Sequence, residues 1–165
     1  MSLAEFCAWL TIRGQPVNLS DLVRRMKQVL LRPGELDPFI RFDPHQYTRA
    51  GVVETRVAAL LVLSWNAGQR SPIHDHSGSA CCVRVVRGAA VETSYDVSDP
   101  VRPRPVARRR LQRGVVTGSY DRDAHRIEAV ENLVTLHAYS PPLFPGQMRR
   151  FPDEVAAPVR LAQPI

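Results

Sequence analysis

The sequence predicts a mainly β protein, an antiparallel sandwich or barrel preceded by two short helices. Before Pro38 the apolar residues recur at helical spacing. Beyond Pro38 they form short runs, rich in β-branched residues, that glycine, proline, aspartate or asparagine separate. There is no βαβ rhythm, no glycine-rich phosphate loop and no internal repeat. The 165 residues are expected to form one domain, with helices in residues 1–37 and β-structure in residues 38–165.

The first helix is predicted over residues 3–11. Ser2 and Glu5 have the spacing of a capping box, in which each side chain bonds the other residue's backbone N–H. Cys7 lies on the apolar side of this helix and is expected to be a buried small side chain. The whole apolar stripe consists of Leu3, Phe6, Cys7 and Leu10.

The second helix is predicted over residues 19–31. Asn18 is its N-cap, with Asp21 at the third helical position, and Pro33-Gly34 ends the helix. Its buried face is predicted to comprise Leu22, Met26, Val29 and Leu30.

The rest of the chain is predicted to be extended. Short runs bounded by turn residues are typical of antiparallel strands. Weaker strands are expected near Met148 and Val159. The main predicted strands are Val52–Val57, Ala58–Trp65, Ala80–Arg87, Ala89–Val97, Val106–Gln112, Gly114–Tyr120, Arg126–Val130 and Leu133–Tyr139.

Composition indicates a soluble protein of a reducing compartment. No apolar run approaches the length of a membrane span, and the N-terminus lacks a signal pattern, so a cytoplasmic location is expected. The three cysteines are odd in number, and an adjacent Cys81–Cys82 bridge would be strained, which favours free thiols. The net charge is +6, and Lys27 is the one lysine among 22 basic residues. Arginine suits anionic partners, although a composition bias explains most of these residues.

The most basic stretch, Asp99–Arg110, favours a solvated loop beside an edge strand. A nucleic-acid site would interleave arginines with aromatic residues on a recognisable module. Here prolines take that place, and no aromatic residue lies between Tyr95 and Tyr120. Binding of nucleic acid is therefore not expected.

The segment from Gly68 to Gly88 carries the strongest functional signal. In a strand His74 and His76 lie on the same face, so both imidazoles can bind one metal ion. A surface loop without metal is the alternative for this pair alone. His125, at the start of a later strand, supplies a third imidazole.

The last long strand places polar and apolar residues on opposite faces. Thr135, His137 and Tyr139 alternate with Val134, Leu136 and Ala138. Such a polar row fits a strand whose one face lines a wet site. For His137 alone a core position hydrogen-bonded to the backbone would be preferred, but this alternative is weaker for the three residues in register.

The spacing of Gly68, His74, His76, Cys81 and Gly88 resembles the first cupin motif, with cysteine in place of the usual glutamate. With Tyr47–Arg49, His125–Arg126 and Leu136–Pro142, the chain resembles the thiol dioxygenases, in particular the cysteine dioxygenase family. The resemblance covers most of residues 47–142. It implies a small cupin fold, a jelly-roll-like antiparallel β-barrel preceded by two N-terminal helices.

The resemblance also implies the roles of the site residues. His74, His76 and His125 would bind non-haem Fe(II), and Arg49, with Tyr47 close by, would hold the substrate carboxylate. Other implied site residues are Tyr139, with Thr135 and His137 behind it, and Cys81, which in some members is thioether-linked to the tyrosine. The Ser140–Pro141 junction would be cis.

The implied reaction converts L-cysteine and O2 to cysteine sulfinate. Three neutral imidazoles leave the metal more positive than two imidazoles and a carboxylate do, which favours a thiolate ligand. The alternatives are a dioxygenase for another small thiol such as 3-mercaptopropionate, whose enzymes tend to lack an arginine at the position of Arg49, and a non-catalytic metal-binding regulatory cupin. A monomer without membrane partners is expected.

Overall fold

The computed structural model describes residues 1–143 and 147–153. Within these ranges the chain forms two α-helices, a 3-10 turn at Asp37–Phe39 and ten strands. The predicted mainly β architecture with two N-terminal helices is confirmed. The helices are α1 (Leu3–Thr11) and α2 (Leu19–Gln28); the strands are β1 (Thr48–Glu54), β2 (Ala59–Trp65), β3 (Ile73–His74), β4 (Ala80–Arg87), β5 (Ala89–Asp96), β6 (Arg104–Gln112), β7 (Val116–Tyr120), β8 (His125–Ala129), β9 (Leu133–Ser140) and β10 (Arg150–Phe151).

The strands form two antiparallel sheets of five. One has the order β1-β2-β9-β4-β7 and the other β10-β3-β8-β5-β6. A shared apolar core contains Leu63 and Val83 of the first sheet together with Leu111 and Ile127 of the second, so the sheets face each other. The described residues thus form a jelly-roll of two sheets rather than one continuously hydrogen-bonded barrel.

Strand β9 lies at the centre of the first sheet and contacts a different core on each face. Val134, Leu136 and Ala138 pack with the helices, whereas Leu133 and Tyr139 face the second sheet. The predicted alternation of polar and apolar rows is therefore confirmed. It gives the sheet a dry outer face under the helices and an inner face that carries functional groups.

The helices match the predictions at their starts and differ near the end of α2. The Ser2–Glu5 capping box is present, and the Asn18 side chain accepts a hydrogen bond from the Asp21 backbone. Helix α2 ends at Gln28 instead of residue 31, because the backbone turns extended at the next position. Leu30 is consequently 72% exposed, so its predicted burial is wrong.

Cys7 was expected to be buried and is only half-buried. Its side chain packs at the margin of the core that the helices share with the first sheet. A helix on a sheet buries a stripe narrower than half its circumference, which leaves a residue beside the stripe partly exposed.

Most strand predictions are confirmed to within two residues, but the first is displaced. Strand β1 begins at Thr48 and ends at Glu54, whereas Val52–Val57 was predicted. The Thr55 hydroxyl accepts hydrogen bonds from the backbone of Val57 and Ala58, which makes a turn where the sequence reads as continuous strand. The short strand β3 was not predicted. The strand expected near Met148 corresponds to β10, and the one near Val159 lies outside the described residues.

Strand β6 contains much of the basic stretch and lies at the edge of the second sheet. All of its residues except Leu111 are exposed. The predicted solvent exposure of the basic stretch is confirmed, but its residues 104–110 belong to the edge strand itself and not to a loop beside it. Arginines along an edge strand discourage pairing with other chains. Among the described residues no helix has the length and hydrophobicity needed to cross a membrane.

Candidate metal centre

Three histidines converge at the inner face of the second sheet. His74 of β3 lies directly opposite His125 of β8 in the antiparallel register, and His76 follows two residues after His74. One ring nitrogen from each histidine lies within 4.8 Å of the others. All three side chains are buried, and the His76 backbone is held by hydrogen bonds to Asp121 and Ser79. The sequence prediction that these imidazoles converge is confirmed.

The Nδ1 atoms of the three histidines each have a partner away from the cluster. His74 Nδ1 lies 2.9 Å from the Pro72 carbonyl, and His125 Nδ1 lies 2.8 Å from Glu92 Oε1. His76 Nδ1 lies 3.3 Å from Ser119 Oγ. Because carbonyl and carboxylate oxygens accept, His74 and His125 carry hydrogen at Nδ1, which leaves Nε2 as the nitrogen available to a metal ion.

The cluster has the chemistry of a metal site. Burial and the nearby His125 lower the pKa of His74 to about 3 and that of His76 to about 2, so both rings are neutral near pH 7. Within the described residues, the buried His76 Nε2 has no hydrogen-bond partner. Three imidazole nitrogens converging on one point fit a divalent transition metal and leave other coordination positions open.

A small cavity opens in front of the histidines. It is lined by most of the residues that the resemblance singled out, and Thr135 lies directly behind it. The sequence-predicted residues in its wall are Tyr47, Arg49, His74, His76, Cys81, His125, His137 and Tyr139, and the others are Leu63, Trp65, Ser71, Val83, Ile127 and Met148.

The inner face of β9 forms a hydrogen-bonded row. Trp65 Nε1 donates to Thr135 Oγ1 at 3.1 Å, and Thr135 Oγ1 lies 2.9 Å from His137 Nε2. His137 Nδ1 lies 3.1 Å from the Tyr139 hydroxyl. Burial lowers the pKa of His137 well below its usual value, so that its ring is neutral. The row therefore links the floor of the cavity to the phenol without a buried charge.

Tyr139 and Cys81 lie opposite each other on paired strands. Cys81 of β4 is the direct antiparallel partner of Tyr139 of β9. Burial, together with the adjacent Cys81, raises the pKa of Tyr139 well above its usual value, so the phenol stays protonated. Cys81 is buried in the inner core with Tyr139, while Cys82 faces the helices. Alternation along β4 thus separates the two neighbouring thiols.

Arg49 lies at the mouth of the cavity on β1. Its side chain is exposed, and its guanidinium carbon lies 5.7 Å from the centre of the Tyr139 ring. No carboxylate of the described residues lies within ion-pair distance of Arg49. Tyr47 stacks on Trp65 with the ring centres 4.0 Å apart. A positive group therefore faces the space in front of the histidines.

Several residues around the centre were not predicted. Glu92 is 3% exposed and bonds both His125 and Arg109. Although burial opposes ionisation, these hydrogen bonds hold the pKa of Glu92 below its usual value. Ser119 and Met148 were also missed. The sequence gives no local signal that Glu92 is buried, because a glutamate in a strand is normally expected to face solvent. Its partners lie on other strands.

Comparison with known protein families assigns the chain. The family model described as "Cysteine dioxygenase type I" matches residues 6–154. The chain belongs to the cysteine dioxygenase type I family. It is therefore an enzyme of a dioxygenase family with a three-histidine metal-binding site. The cis Ser140–Pro141 bond that the resemblance implied is present.

Individual relatives agree with the family match. Cysteine dioxygenase type 1 of Danio rerio is 32% identical over 147 residues, which cover 79% of this chain and 69% of that protein. The Rattus norvegicus protein of the same name is 30% identical over 136 residues, 78% of this chain and 68% of that protein.

Solved structures confirm the cupin fold. An RmlC-like cupin protein from Desulfovibrio desulfuricans has a TM-score of 0.53 at 23% identity, over 63% of this chain and 91% of that one. A protein with a double-stranded β-helix domain from Klebsiella pneumoniae has a TM-score of 0.56 at 18% identity, over 64% and 81% of the two chains.

Replacing His125 with alanine is expected to abolish stable metal binding, because two imidazoles remain of three. Metal content per protein, measured by elemental analysis after loading and desalting, checks this. His45→Ala is the matched control, since His45 is exposed and lies outside the cluster. Wild-type metal content in the His125 variant would remove this residue from the ligand set.

Proposed function

We propose that the protein is an iron-dependent cysteine dioxygenase that converts L-cysteine and O2 to cysteine sulfinate. The observation that carries the proposal is the cavity in which three buried imidazoles, the Arg49 guanidinium and the Tyr139–Cys81 pair face one another. Three imidazole nitrogens can bind several divalent metals. The family match supports Fe(II) among them.

The substrate is proposed to bind through three groups. Its thiolate and amine would occupy open positions of the metal held by His74, His76 and His125. Its carboxylate would pair with Arg49, whose planar guanidinium suits two-point binding of a carboxylate. Tyr47, held against Trp65, would limit the width of the mouth beside Arg49.

Iron, when bound, would supply the coordination positions at which sulfur and dioxygen meet and the electrons that activate dioxygen. Both oxygen atoms are transferred to the substrate sulfur, and the thiol proton is released. The sulfur loses four electrons and dioxygen gains four, so no other reductant is needed.

The protein residues position and protect these groups. Tyr139 remains a neutral phenol and can donate a hydrogen bond to an oxygen or sulfur atom in the cavity. His137 and Thr135 fix the direction of that phenol through the hydrogen-bonded row. Leu63, Val83 and Ile127 make the remaining wall apolar, which limits the water around the reacting atoms.

We also propose that the chain acts as one domain and as a monomer. All residues proposed for metal and substrate binding belong to one chain, and they come from both facing sheets.

Oxygen uptake by the iron-loaded protein tests the function. With L-cysteine we expect stoichiometric O2 consumption and cysteine sulfinate as the product, identified by mass spectrometry. A higher kcat/KM for 3-mercaptopropionate than for L-cysteine would assign the alternative thiol substrate. A protein that binds iron but consumes no O2 with any small thiol would be a regulatory cupin instead.

The Arg49→Ala variant is expected to raise the KM for L-cysteine by about 10- to 100-fold, because a hydrogen-bonded charge pair contributes about 1.5–3 kcal/mol. Cysteamine, which lacks the carboxylate, should show little change in steady-state oxygen uptake. Arg56→Ala is the matched control, since Arg56 is exposed at the neighbouring turn and outside the cavity wall. Equal losses for both thiols would contradict the carboxylate role.

Cys81 and Tyr139 are proposed to form a thioether between Sγ and the ring carbon next to the hydroxyl. The thiol and ring hydrogens leave, and dioxygen takes up the two electrons. Intact mass spectrometry after turnover should show a loss of two hydrogen atoms. This loss should disappear in Cys81→Ala and persist in Cys82→Ala, because Cys82 faces the helices. An unchanged wild-type mass after turnover is the result that argues against the link.

A further inference from the structure

One arginine of the basic edge strand contacts the interior of the protein. Arg109 of β6 donates from Nε to Glu92 and from Nη2 to Thr117. Its side chain is 54% exposed, whereas the Glu92 side chain is 3% exposed. The other arginines of β6 are exposed, and Arg104 pairs with Asp96 instead of with a residue of the metal centre. Arg109 therefore differs from Arg104 in that its guanidinium bonds a buried carboxylate.

The sheet register places Glu92 between Arg109 and the metal centre. Glu92 of β5 is the direct cross-strand partner of Arg109 on one side. On the other side its direct partner is Ile127, so His125 is its diagonal neighbour on β8, within reach of a long side chain. Oε2 accepts from Arg109, and Oε1 accepts from His125 Nδ1 at 2.8 Å. Each carboxylate oxygen thus has its own partner.

The same arginine also connects the two sheets. Thr117 belongs to β7 of the first sheet, as does Ser119, whose hydroxyl lies 3.3 Å from His76 Nδ1. A surface cavity is lined by Glu92, Arg109, Ser119 and His125, so solvent can approach the histidines from the side opposite the substrate cavity. Without the guanidinium, water from this side would compete with His125 for the Glu92 carboxylate.

We propose that Glu92 and Arg109 are positioning residues of the metal centre: Arg109 fixes the Glu92 carboxylate, and Glu92 fixes the orientation and the Nδ1–H tautomer of His125. The inference rests on the proposed metal-binding function. A carboxylate that accepts from the outer nitrogen of a ligating imidazole raises the basicity of the inner nitrogen. Arg109 acts on His125 indirectly, through the Glu92 carboxylate.

The test measures metal affinity rather than turnover. The metal-free protein is titrated anaerobically with Fe(II) in competition with a chromophoric chelator, and Co(II) absorption reports the geometry of the site. Glu92→Gln is expected to weaken Fe(II) binding by about 10- to 100-fold, the usual cost of losing such a partner. Arg109→Ala is expected to weaken it by about tenfold, at the lower end of that range.

Arg110→Ala is the matched control, because it removes the same charge one position along the same exposed strand. Its affinity should stay within about twofold of the wild type, as is typical of surface substitutions. Arg109→Lys should recover most of the affinity, because an ammonium can still donate to Glu92. Co(II) spectra should change in Arg109→Ala and Glu92→Gln but not in Arg110→Ala.

The double variant Glu92→Gln/Arg109→Ala decides whether the two residues act in series. If Arg109 acts through Glu92, the double variant binds Fe(II) no more weakly than Glu92→Gln alone. Fully additive losses, or equal affinities for Arg109→Ala and Arg110→Ala, would overturn the inference. Failure of the wild type itself to bind Fe(II) would instead refute the proposed function, so the two failures are distinguishable. Arg109 is largely exposed, so the comparison of Arg109→Ala with Arg110→Ala does not depend on the folding of the Glu92 variant.

Discussion

The antiparallel register of β3 and β8 is the constraint on which the metal centre depends. It sets His74 directly opposite His125, at the separation where two cross-strand side chains meet. Strand side chains alternate with a period of two, so a slip of one residue would turn an imidazole out of the cluster. The register is fixed from both sides, since β8 also pairs with β5 and β3 also pairs with β10. The metal centre is therefore specified by backbone pairing before any metal binds.

Strand β9 serves the first sheet in a comparable way. Its outer row anchors the helices by burial of Val134, Leu136 and Ala138, and its inner row presents Thr135, His137 and Tyr139 to the cavity. Anchoring and function thus use alternate residues of the same eight-residue strand. The outer face packs under the helices, and the inner face is held by the core shared with the second sheet and by the hydrogen-bonded row.

The sequence was sufficient for features that depend on local pattern. The helix caps at Ser2 and Asn18, most strand bounds and the shared direction of His74 and His76 follow from spacing and alternation, whereas the family resemblance supplied His125 as the third member. Features set by other strands could not be predicted. The end of α2 depends on how its last turn meets the sheet, and strand β3 is too short for a hydrophobic pattern. Glu92 becomes recognisable only when the register places it between Arg109 and His125. The turn at Thr55 depends on a hydrogen bond between its hydroxyl and the backbone. The sequence does not indicate this bond, because a β-branched residue such as threonine is typical of strands.

The burial of the free cysteines has a consequence for chemical selectivity. Burial raises the pKa of the half-buried Cys7 thiol and of Cys81, and it raises the pKa of Cys82 to about 12. The thiolate is the form of sulfur that attacks electrophiles and binds metals. Apart from the proposed Cys81–Tyr139 thioether, the fold therefore keeps its cysteine thiols protonated, whereas a small thiol in the cavity would meet the proposed metal, whose positive charge favours the ionised form. Burial thus distinguishes the protein's own thiols, which are not ionised, from the substrate thiolate that the proposed site would oxidise.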